Sequence, residues 1–167
     1  VALSYNGEYG LWVDGHASVK LQDSTVSNNG NDGLQVGQQA RLSISRSTIK
    51  ANRYNGAVAA GASMLELEDC LIQCNGHNGL IMTEATDVSV IRCDIIGNEF
   101  CGVCQHTLIC PPYGFGEINF WGTLSGYGNR IPGSDRPDGN RLGTSCPETW
   151  AKEAGLLQES APVTQGG

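Results

Sequence analysis

The tightest group of side chains that could do chemistry lies near the middle of the C-terminal half. Cys101, Cys104, His106 and Cys110 place three thiols and one imidazole within ten residues. Zinc prefers such ligands, but the group lacks the distant second ligand pair that marks a zinc module. We therefore predict no metal site and favour disulfides, with zinc or free thiols as the alternatives. The disulfide candidates are Cys101, Cys104, Cys110 and Cys146, and we expect Cys110 to be bonded to Cys146.

The other titratable side chains do not form a recognisable catalytic set. No serine nucleophile or carboxylate stands at a catalytic spacing from His16, His77 or His106. Paired carboxylates could bind calcium or act as general acid and base. The acidic residues here alternate with inward-facing leucines or share a repeat position with arginines, so we favour a solvated face for Glu66, Glu68, Asp69, Asp87 and Asp94. We predict no catalytic residue and no cofactor.

These residues sit on a repeat of 23 residues. Glycine recurs at that interval, at Gly10, Gly33, Gly56, Gly79 and Gly102. Within each copy apolar residues are spaced by two in three short runs, which is the periodicity of strands and not of helices. One copy has too few large aliphatic residues to offset the entropy of ordering its backbone, so the copies must stack. The sequence predicts an all-β parallel β-solenoid of 23-residue coils with three short strands per coil.

Two repeat positions indicate how the coils are held in register. One is asparagine in every copy, and we expect these side-chain amides to form a buried ladder: Asn6, Asn29, Asn52, Asn75 and Asn98. Another alternates in charge through Asp23, Arg46, Asp69 and Arg92. Opposite charges on neighbouring strands attract, so this position predicts ion pairs between coils. Cys70 and Cys93 share an inward-facing position, and we expect both to be buried and reduced.

The repeat pattern resembles a known family. Gly-Leu-x-Val, Ala-x-Val-x-Leu and Ser-x-Ile-x-x-Asn are similar to the right-handed parallel β-helix repeats of bacterial secreted proteins, a fold shared with pectate lyases. The segment Cys110–Pro147 looks like the ending of uncharacterised bacterial repeat proteins of this type. The resemblance implies a right-handed β-helix in an exported protein, extracellular or periplasmic, and implies no reaction.

The resemblance does not extend to catalytic residues. Arg130–Arg136 departs from the Arg-x-Pro-x-x-Arg stretch of pectate lyases because its second arginine comes one position late. The conserved sets of polygalacturonase-type hydrolases are absent from the sequence. A lyase or epimerase acting on an acidic polysaccharide is therefore the alternative interpretation, and it rests on fold analogy alone.

The repeat gives the domain organisation. Residues 1–104 are expected to form the coils, and residues 105–158 a loop-rich C-terminal cap. We expect one further strand in the cap at Glu117–Leu124 and a short helix at Pro147–Leu157. Residues 159–167 read as a tail. The chain starts at Val1 in mid-coil, so we expect a processed product or a fragment whose first coil is covered by another polypeptide or by a second copy.

One predicted surface differs from a solvated face. Two adjacent outward positions of the first strand carry no lysine, arginine or glutamate, and we call them the apolar strip: Trp12, Asp14, Gln35, Gly37, Val58, Ala60, Ile81, Thr83 and Cys104. Exposed apolar surfaces of this kind tend to mark contacts. The binding candidates are Trp12, Asp14, Gln35, Val58, Ile81 and Thr83, and the partner would be a protein or a polysaccharide.

The composition also argues against several classes of binding partner. The 167 residues carry 10 lysines and arginines against 17 aspartates and glutamates, a net charge of −7, with no basic cluster. Binding to nucleic acid or to an anionic membrane surface is therefore not expected. No apolar run approaches the length of a membrane span. The sequence favours a non-enzymatic structural or binding module of a larger exported protein or assembly.

Overall fold

Residues 1–105 and 120–157 are described by the structure, which is a computed structural model. Their strands pair in parallel to form three sheets. Sheet A stacks β1 (Ala2–Ser4), β4 (Thr25–Ser27), β7 (Thr48–Lys50), β10 (Leu71–Gln73) and β13 (Asp94–Ile96). Sheet B stacks β2 (Leu11–Val13), β5 (Leu34–Val36), β8 (Ala57–Ala59), β11 (Leu80–Met82), β14 (Cys101–Cys104) and β16 (Gly143–Cys146). Sheet C stacks β3 (Ser18–Gln22), β6 (Arg41–Ser45), β9 (Met64–Glu68), β12 (Asp87–Ile91) and β15 (Thr123–Tyr127).

The chain visits sheets B, C and A in turn, so each coil is one 23-residue copy of the repeat. Leu11 pairs with Leu34, and Val19 pairs with Leu42, which is an offset of one copy. Alternate side chains of every strand point inward and fill the space between the sheets. The predicted parallel β-solenoid with three strands per coil is confirmed. The largest fully buried side chains of the coils are Leu34, Leu42, Ile44, Ile49, Leu65, Leu67, Ile72, Leu80, Met82 and Ile95.

The three corners of a coil each turn through left-handed backbone. Their φ angles lie between 47° and 73°. The B–C corner uses Gly15, Gln38, Gly61 and Glu84; the C–A corner uses Asp23, Arg46, Asp69 and Arg92; the A–B corner uses Tyr5, Asn28, Ala51, Cys74 and Gly97. For residues other than glycine this conformation costs about 1–2 kcal/mol. Packing and hydrogen bonding between coils therefore impose the corner geometry on residues that do not favour it.

A ladder of asparagine amides runs along the A–B corner. Asn29 Nδ2 donates to Asn52 Oδ1 at 2.9 Å, and Asn52 Nδ2 donates to Asn75 Oδ1 at 3.0 Å. Each acceptor oxygen also takes the backbone N–H of the preceding asparagine, as in Asn52 N to Asn75 Oδ1 at 3.1 Å. Each amide nitrogen also donates a hydrogen bond to a backbone carbonyl of the preceding coil, as Asn75 Nδ2 does to Ile49 O. The amides therefore satisfy one another and the backbone N–H groups of the asparagines at the corner.

Glycine is required at the repeated position because the asparagine ladder leaves no room for a side chain there. A Cβ atom on Gly33 would lie 2.6 Å from Asn52 Nδ2 and 2.7 Å from the carbonyl oxygen of Gly56. Backbone atoms of the next coil cannot move aside without breaking the stack. Glycine and asparagine therefore recur together in each copy.

A second ladder, which the sequence interpretation missed, lies three residues beyond the first. Asn55 donates its backbone N–H and its Nδ2 to Asp32 Oδ1 at 2.8 and 3.0 Å. Asn78 donates to Asn55 Oδ1 in the same way, and Cys101 N donates to Asn78 Oδ1. The donors of this ladder lie in the later coil, so it runs opposite to the first ladder. The signal was present in the sequence as three Asp or Asn residues at a spacing of 23.

Beyond the four repeats, residues 120–157 add one more layer to each sheet, and we call this added turn the fifth coil. The sequence predicts only a single further strand and a short helix in a loop-rich cap. Strand β15 pairs with β12, Arg130 bridges to Asp94, and β16 pairs with β14. Asn140 continues the asparagine ladder by accepting from Asn98 Nδ2 at 2.9 Å. The offset from the fourth coil is 36 residues at Arg130 and 42 at Asn140. Extra residues enter between the strands, which hides the repeat from an inspection at constant spacing.

Two boundaries in this segment are corrected. The added strand is Thr123–Tyr127 and not Glu117–Leu124, of which residues 117–119 lie outside the described part. The helix α1 spans only Trp150–Glu153, within the predicted Pro147–Leu157. The core explains its position, because Trp150, Ala151 and Leu156 are buried against the end of the solenoid. No helix among the described residues is long and apolar enough to cross a membrane.

The asparagine ladder gives the first prediction. Asn75→Ala removes the acceptor of two Asn52 donors and the donor to Asn98. Because these groups are buried, the free energy of unfolding should fall by about 1–3 kcal/mol. Asn6→Ala is the matched control, since Asn6 is exposed and only donates to Asn29. Denaturant unfolding should show a clear loss for Asn75→Ala and a small one for Asn6→Ala; equal losses would contradict the ladder.

The second ladder gives a pH-dependent prediction. Burial raises the pKa of Asp32, against the lowering effect of the hydrogen bonds from Asn55 and the charge of His77. A raised pKa in the folded state means that stability is lost as pH rises through it. Asp32→Asn keeps an oxygen acceptor for Asn55 without a buried charge. At about pH 7 we expect a higher melting temperature for Asp32→Asn than for the wild type. The two melting temperatures should converge at about pH 3, where the wild-type carboxyl is protonated. A difference independent of pH would contradict the assignment.

The left-handed corners give a third prediction, from two equivalent positions of the A–B corner. Ala51 has φ 53° and Gly97 has φ 61°. Ala51→Gly should raise the free energy of unfolding by about 0.5–1 kcal/mol, and Gly97→Ala should lower it by a similar amount. A Cβ on Gly97 would meet only Cys74 Sγ, at an ordinary 3.5 Å, so its cost would be conformational. Thermal melts measure the change in stability of each variant. Changes of the same sign in the two variants would contradict the interpretation.

Candidate functional site

The apolar strip begins at an exposed tryptophan. Trp12 lies on β2 with 56% of its surface exposed, and Asp14 follows on the same outward side. Gln35 and Val58 are in register with Trp12 on the next two coils and are half-buried. The strip therefore presents one protruding aromatic side chain and a shallow surface beyond it.

The strip is not open along its whole length, which corrects the expectation for Ile81, Thr83 and Cys104. Ile81 and Thr83 are each 5% exposed, and Cys104 is 0% exposed. Ile81 and Cys104 form a small apolar cluster outside the main core, with Val58 and Cys146 packed at its edge. The fifth coil brings Cys146 to that place, so the C-terminal part of the strip is already used in intramolecular packing. Only the region from Trp12 to Val58 offers a surface.

Acidic side chains surround the open part of the strip. The ring of Tyr9 lies 5.3 Å from that of Trp12, tilted by 56°. Burial raises the pKa of Tyr9, and the charges of Asp32 and Glu8 raise it further. Asp14 lies against the next coil, where a Cβ on Gly37 would be 3.2 Å from its Oδ1. Trp12 is therefore an aromatic contact in negative surroundings, which favours a neutral or cationic partner.

The cysteines are placed differently from the ligand set that the sequence suggested. Cys104 and Cys146 are register partners on β14 and β16, and both are disulfide-bonded. Cys101 is a buried free thiol whose pKa is raised by burial to about 11. His106 and Cys110 lie outside the described residues, and so does the expected bond of Cys110. Among the described residues no three Cys, His, Asp or Glu side chains gather to hold a metal ion.

Ion pairs occupy the C–A corner. Arg46 Nε and Nη2 donate to the two carboxylate oxygens of Asp23 at 2.9 and 3.1 Å. Arg92 contacts Asp69 in the same way and also reaches Glu68. These hydrogen bonds lower the pKa of Asp23 and of Asp69. Each arginine pairs with the coil before it, so the alternating charges form separate pairs, which add little stability because they are exposed.

A shallow groove of about 470 Å³ runs along this corner. It is lined by two arginines, two aspartates and smaller groups between them: Arg46, Ser47, Thr48, Asp69, Cys70, Leu71, Arg92 and Asp94. The carboxylates that could have formed an acid–base pair are engaged here, since Asp69 pairs with Arg92 and Asp94 with Arg130. Glu66 and Asp87 point outward from sheet C instead. Of the acidic residues considered from the sequence, Glu68, Asp69 and Asp94 are therefore engaged by arginines.

A stack of rings, also missed from the sequence, lies beside the second amide ladder. The His77 ring lies 4.8 Å from Tyr54 and 4.7 Å from Phe100, measured between centroids. Arg53 adds a cation over the Tyr54 ring at 5.3 Å. Burial lowers the pKa of His77, although the charge of Asp32 acts in the opposite direction. The His77 ring stacks on Phe100 at 21° and is tilted by 56° against Tyr54, so His77 serves packing between coils.

The comparisons with known proteins agree with this geometry and add no activity. No curated protein and no solved structure matches the chain. Residues 9–110 match the family described as right-handed beta helix region, which is more than half of the chain. The match begins beside Trp12 and runs through four repeats of the solenoid, and the chain therefore belongs to the right-handed beta helix family.

Proposed function

We propose that this chain is a non-enzymatic β-helix module of an exported protein or assembly, and that it acts by contacts at its first coil. The observation that carries the proposal is where its exposed apolar side chains lie. Among the described residues, the large hydrophobic side chains that are clearly exposed belong to the first coil or to the fifth, and none belongs to the coils between: Val1, Tyr5, Trp12, Trp121, Tyr127 and Leu142. The middle coils are covered by polar side chains.

The first coil adds unpaired backbone to this apolar surface. Strands β1, β2 and β3 each stand at one end of their sheet. Their inward side chains are only partly buried against the core, unlike the equivalent ones in later coils: Leu3, Leu11, Val19 and Leu21. An open strand edge accepts another strand through backbone hydrogen bonds. The natural partner of this coil is another coil, either from the same polypeptide or from a second copy.

Trp12 is the proposed anchor of such a contact. It lies on β2 beside the open edge, and the ring of Tyr9 contacts its ring. Large aromatic side chains dominate many interfaces because they bury much area at a small cost in conformational entropy. A polysaccharide that stacks on Trp12 is the second candidate partner, favoured by the exposed ring and the hydrogen-bonding side chains of Asp14 and Gln35.

Sedimentation of the isolated chain over a range of concentrations tests the proposal. We expect association that Trp12→Glu weakens at least tenfold, because the charge would have to be buried in the contact. Trp121→Glu is the matched control, since Trp121 is 68% exposed and lies in the fifth coil. Association that is lost equally in both variants would contradict a contact at the first coil.

Activity assays on the same preparations decide between the two function classes. The wild-type chain should leave polygalacturonate and alginate intact. A chain that stays monomeric at every concentration and depolymerises either polymer would replace the proposal with the carbohydrate-active enzyme.

A further inference from the structure

Two free thiols occupy equivalent places in the interior of neighbouring coils. Cys70 and Cys93 are 3% and 0% exposed and occupy equivalent places after β9 and β12. Register pairs hold the backbone on both sides of them, with Glu68 opposite Ile91 and Leu71 opposite Asp94. The backbone N–H of Asp94 donates to the carbonyl of Cys70 at 3.0 Å, which fixes the distance between the two coils.

This arrangement meets one requirement of a disulfide, the separation of the two Cα atoms. Register partners on neighbouring parallel strands lie about 4.8 Å apart, and disulfides join Cα atoms about 4.4–6.8 Å apart. Cys104 and Cys146 stand in the same register relation on β14 and β16, and each of them is disulfide-bonded. The equivalent residues in the first two coils are Ser24 and Ser47, which shows that the place accepts a small polar side chain.

The surroundings favour reaction at one of the two sulfurs. Cys70 lines the groove of the C–A corner together with Arg46 and Arg92. A hydrogen bond from Cys93 lowers the pKa of Cys70, against the effect of burial. The same hydrogen bond, together with burial, raises the pKa of Cys93. Cys70 is also the thiol beside an opening to solvent, so a small disulfide would reach it first.

We propose that Cys70 and Cys93 are a redox-active dithiol, which a low-molecular-weight disulfide oxidises to a bond between the third and fourth coils. The Cys70 thiolate attacks one sulfur of the small disulfide, whose S–S bond breaks and releases one thiolate. Cys93 then loses its proton, and its thiolate attacks the Cys70 sulfur of the mixed disulfide. The second small thiolate leaves as the Cys70–Cys93 bond forms. The two thiol protons pass to the two released thiolates, so one disulfide is reduced for each protein disulfide formed.

The bond would change how the solenoid opens. Coils separate most easily where only backbone hydrogen bonds and side-chain packing join them. A covalent link between the third and fourth coils would make the middle of the stack resist separation. The module would then have a reduced form that opens more readily and an oxidised form that does not.

Oxidised 2-mercaptoethanol, a small disulfide, serves as the probe on the folded full chain carrying Cys74→Ser. That background removes the exposed free thiol, whose mixed disulfide would obscure the result. Peptide mapping without reduction should recover the peptides of Cys70 and Cys93 joined to each other, with a mass lower by two hydrogen atoms. Cys101, a buried free thiol whose pKa is raised by burial, should remain a thiol.

Cys93→Ser in the same background is the matched variant, because serine occupies this place in Ser24 and Ser47. It should stop at a mixed disulfide on Cys70. The oxidised parent should melt several degrees above its dithiothreitol-treated form, and this difference should shrink in Cys93→Ser, where the Cys104 and Cys146 contribution is unchanged. The proposal is overturned if the parent also stops at the mixed disulfide, or if Cys70 and Cys93 remain thiols in the folded chain but react once it is denatured.

Discussion

Stacking in register along one axis is the constraint on which the whole molecule depends. Every strand finds its backbone partners in the coils above and below it, and no coil contains a sheet of its own. A shift by one residue would turn each inward side chain outward. The asparagine ladder prevents such a shift, because each amide bonds to the backbone and side chain of its neighbour. Glycine next to the ladder and left-handed residues at the corners are consequences of this fixed spacing.

Features that recur at a constant interval could be predicted from the sequence. The three strands of each coil and the inward aliphatic side chains all follow from the 23-residue spacing, as do the asparagine positions, because in a parallel solenoid residues one copy apart become neighbours. The same reasoning could have found the Asp32, Asn55 and Asn78 ladder and the ring stack through His77. Those columns mix residue types, and they are visible only when hydrogen-bonding or planar groups are treated as equivalent.

Features that depend on interrupted spacing could not be predicted. Asn140 continues the ladder 42 residues after Asn98, and Arg130 follows Asp94 by 36 residues. Nothing local marks them as members of the repeat. The candidate surface failed for a related reason: Ile81 and Cys104 point outward from their strands, but Cys146 of the fifth coil packs beside them. Exposure on a solenoid face depends on what the rest of the chain lays over it, and the strand pattern does not contain that information.

The opposite directions of the two amide ladders have a consequence for length. In the first ladder the donors lie in the earlier coil, and in the second they lie in the later coil. Their dipoles therefore point in opposite directions along the axis. An α-helix accumulates partial charge at its termini as its dipoles add up, whereas in the coils that carry both ladders the two contributions oppose each other. Within those coils the amide ladders therefore add little net dipole as repeats are stacked.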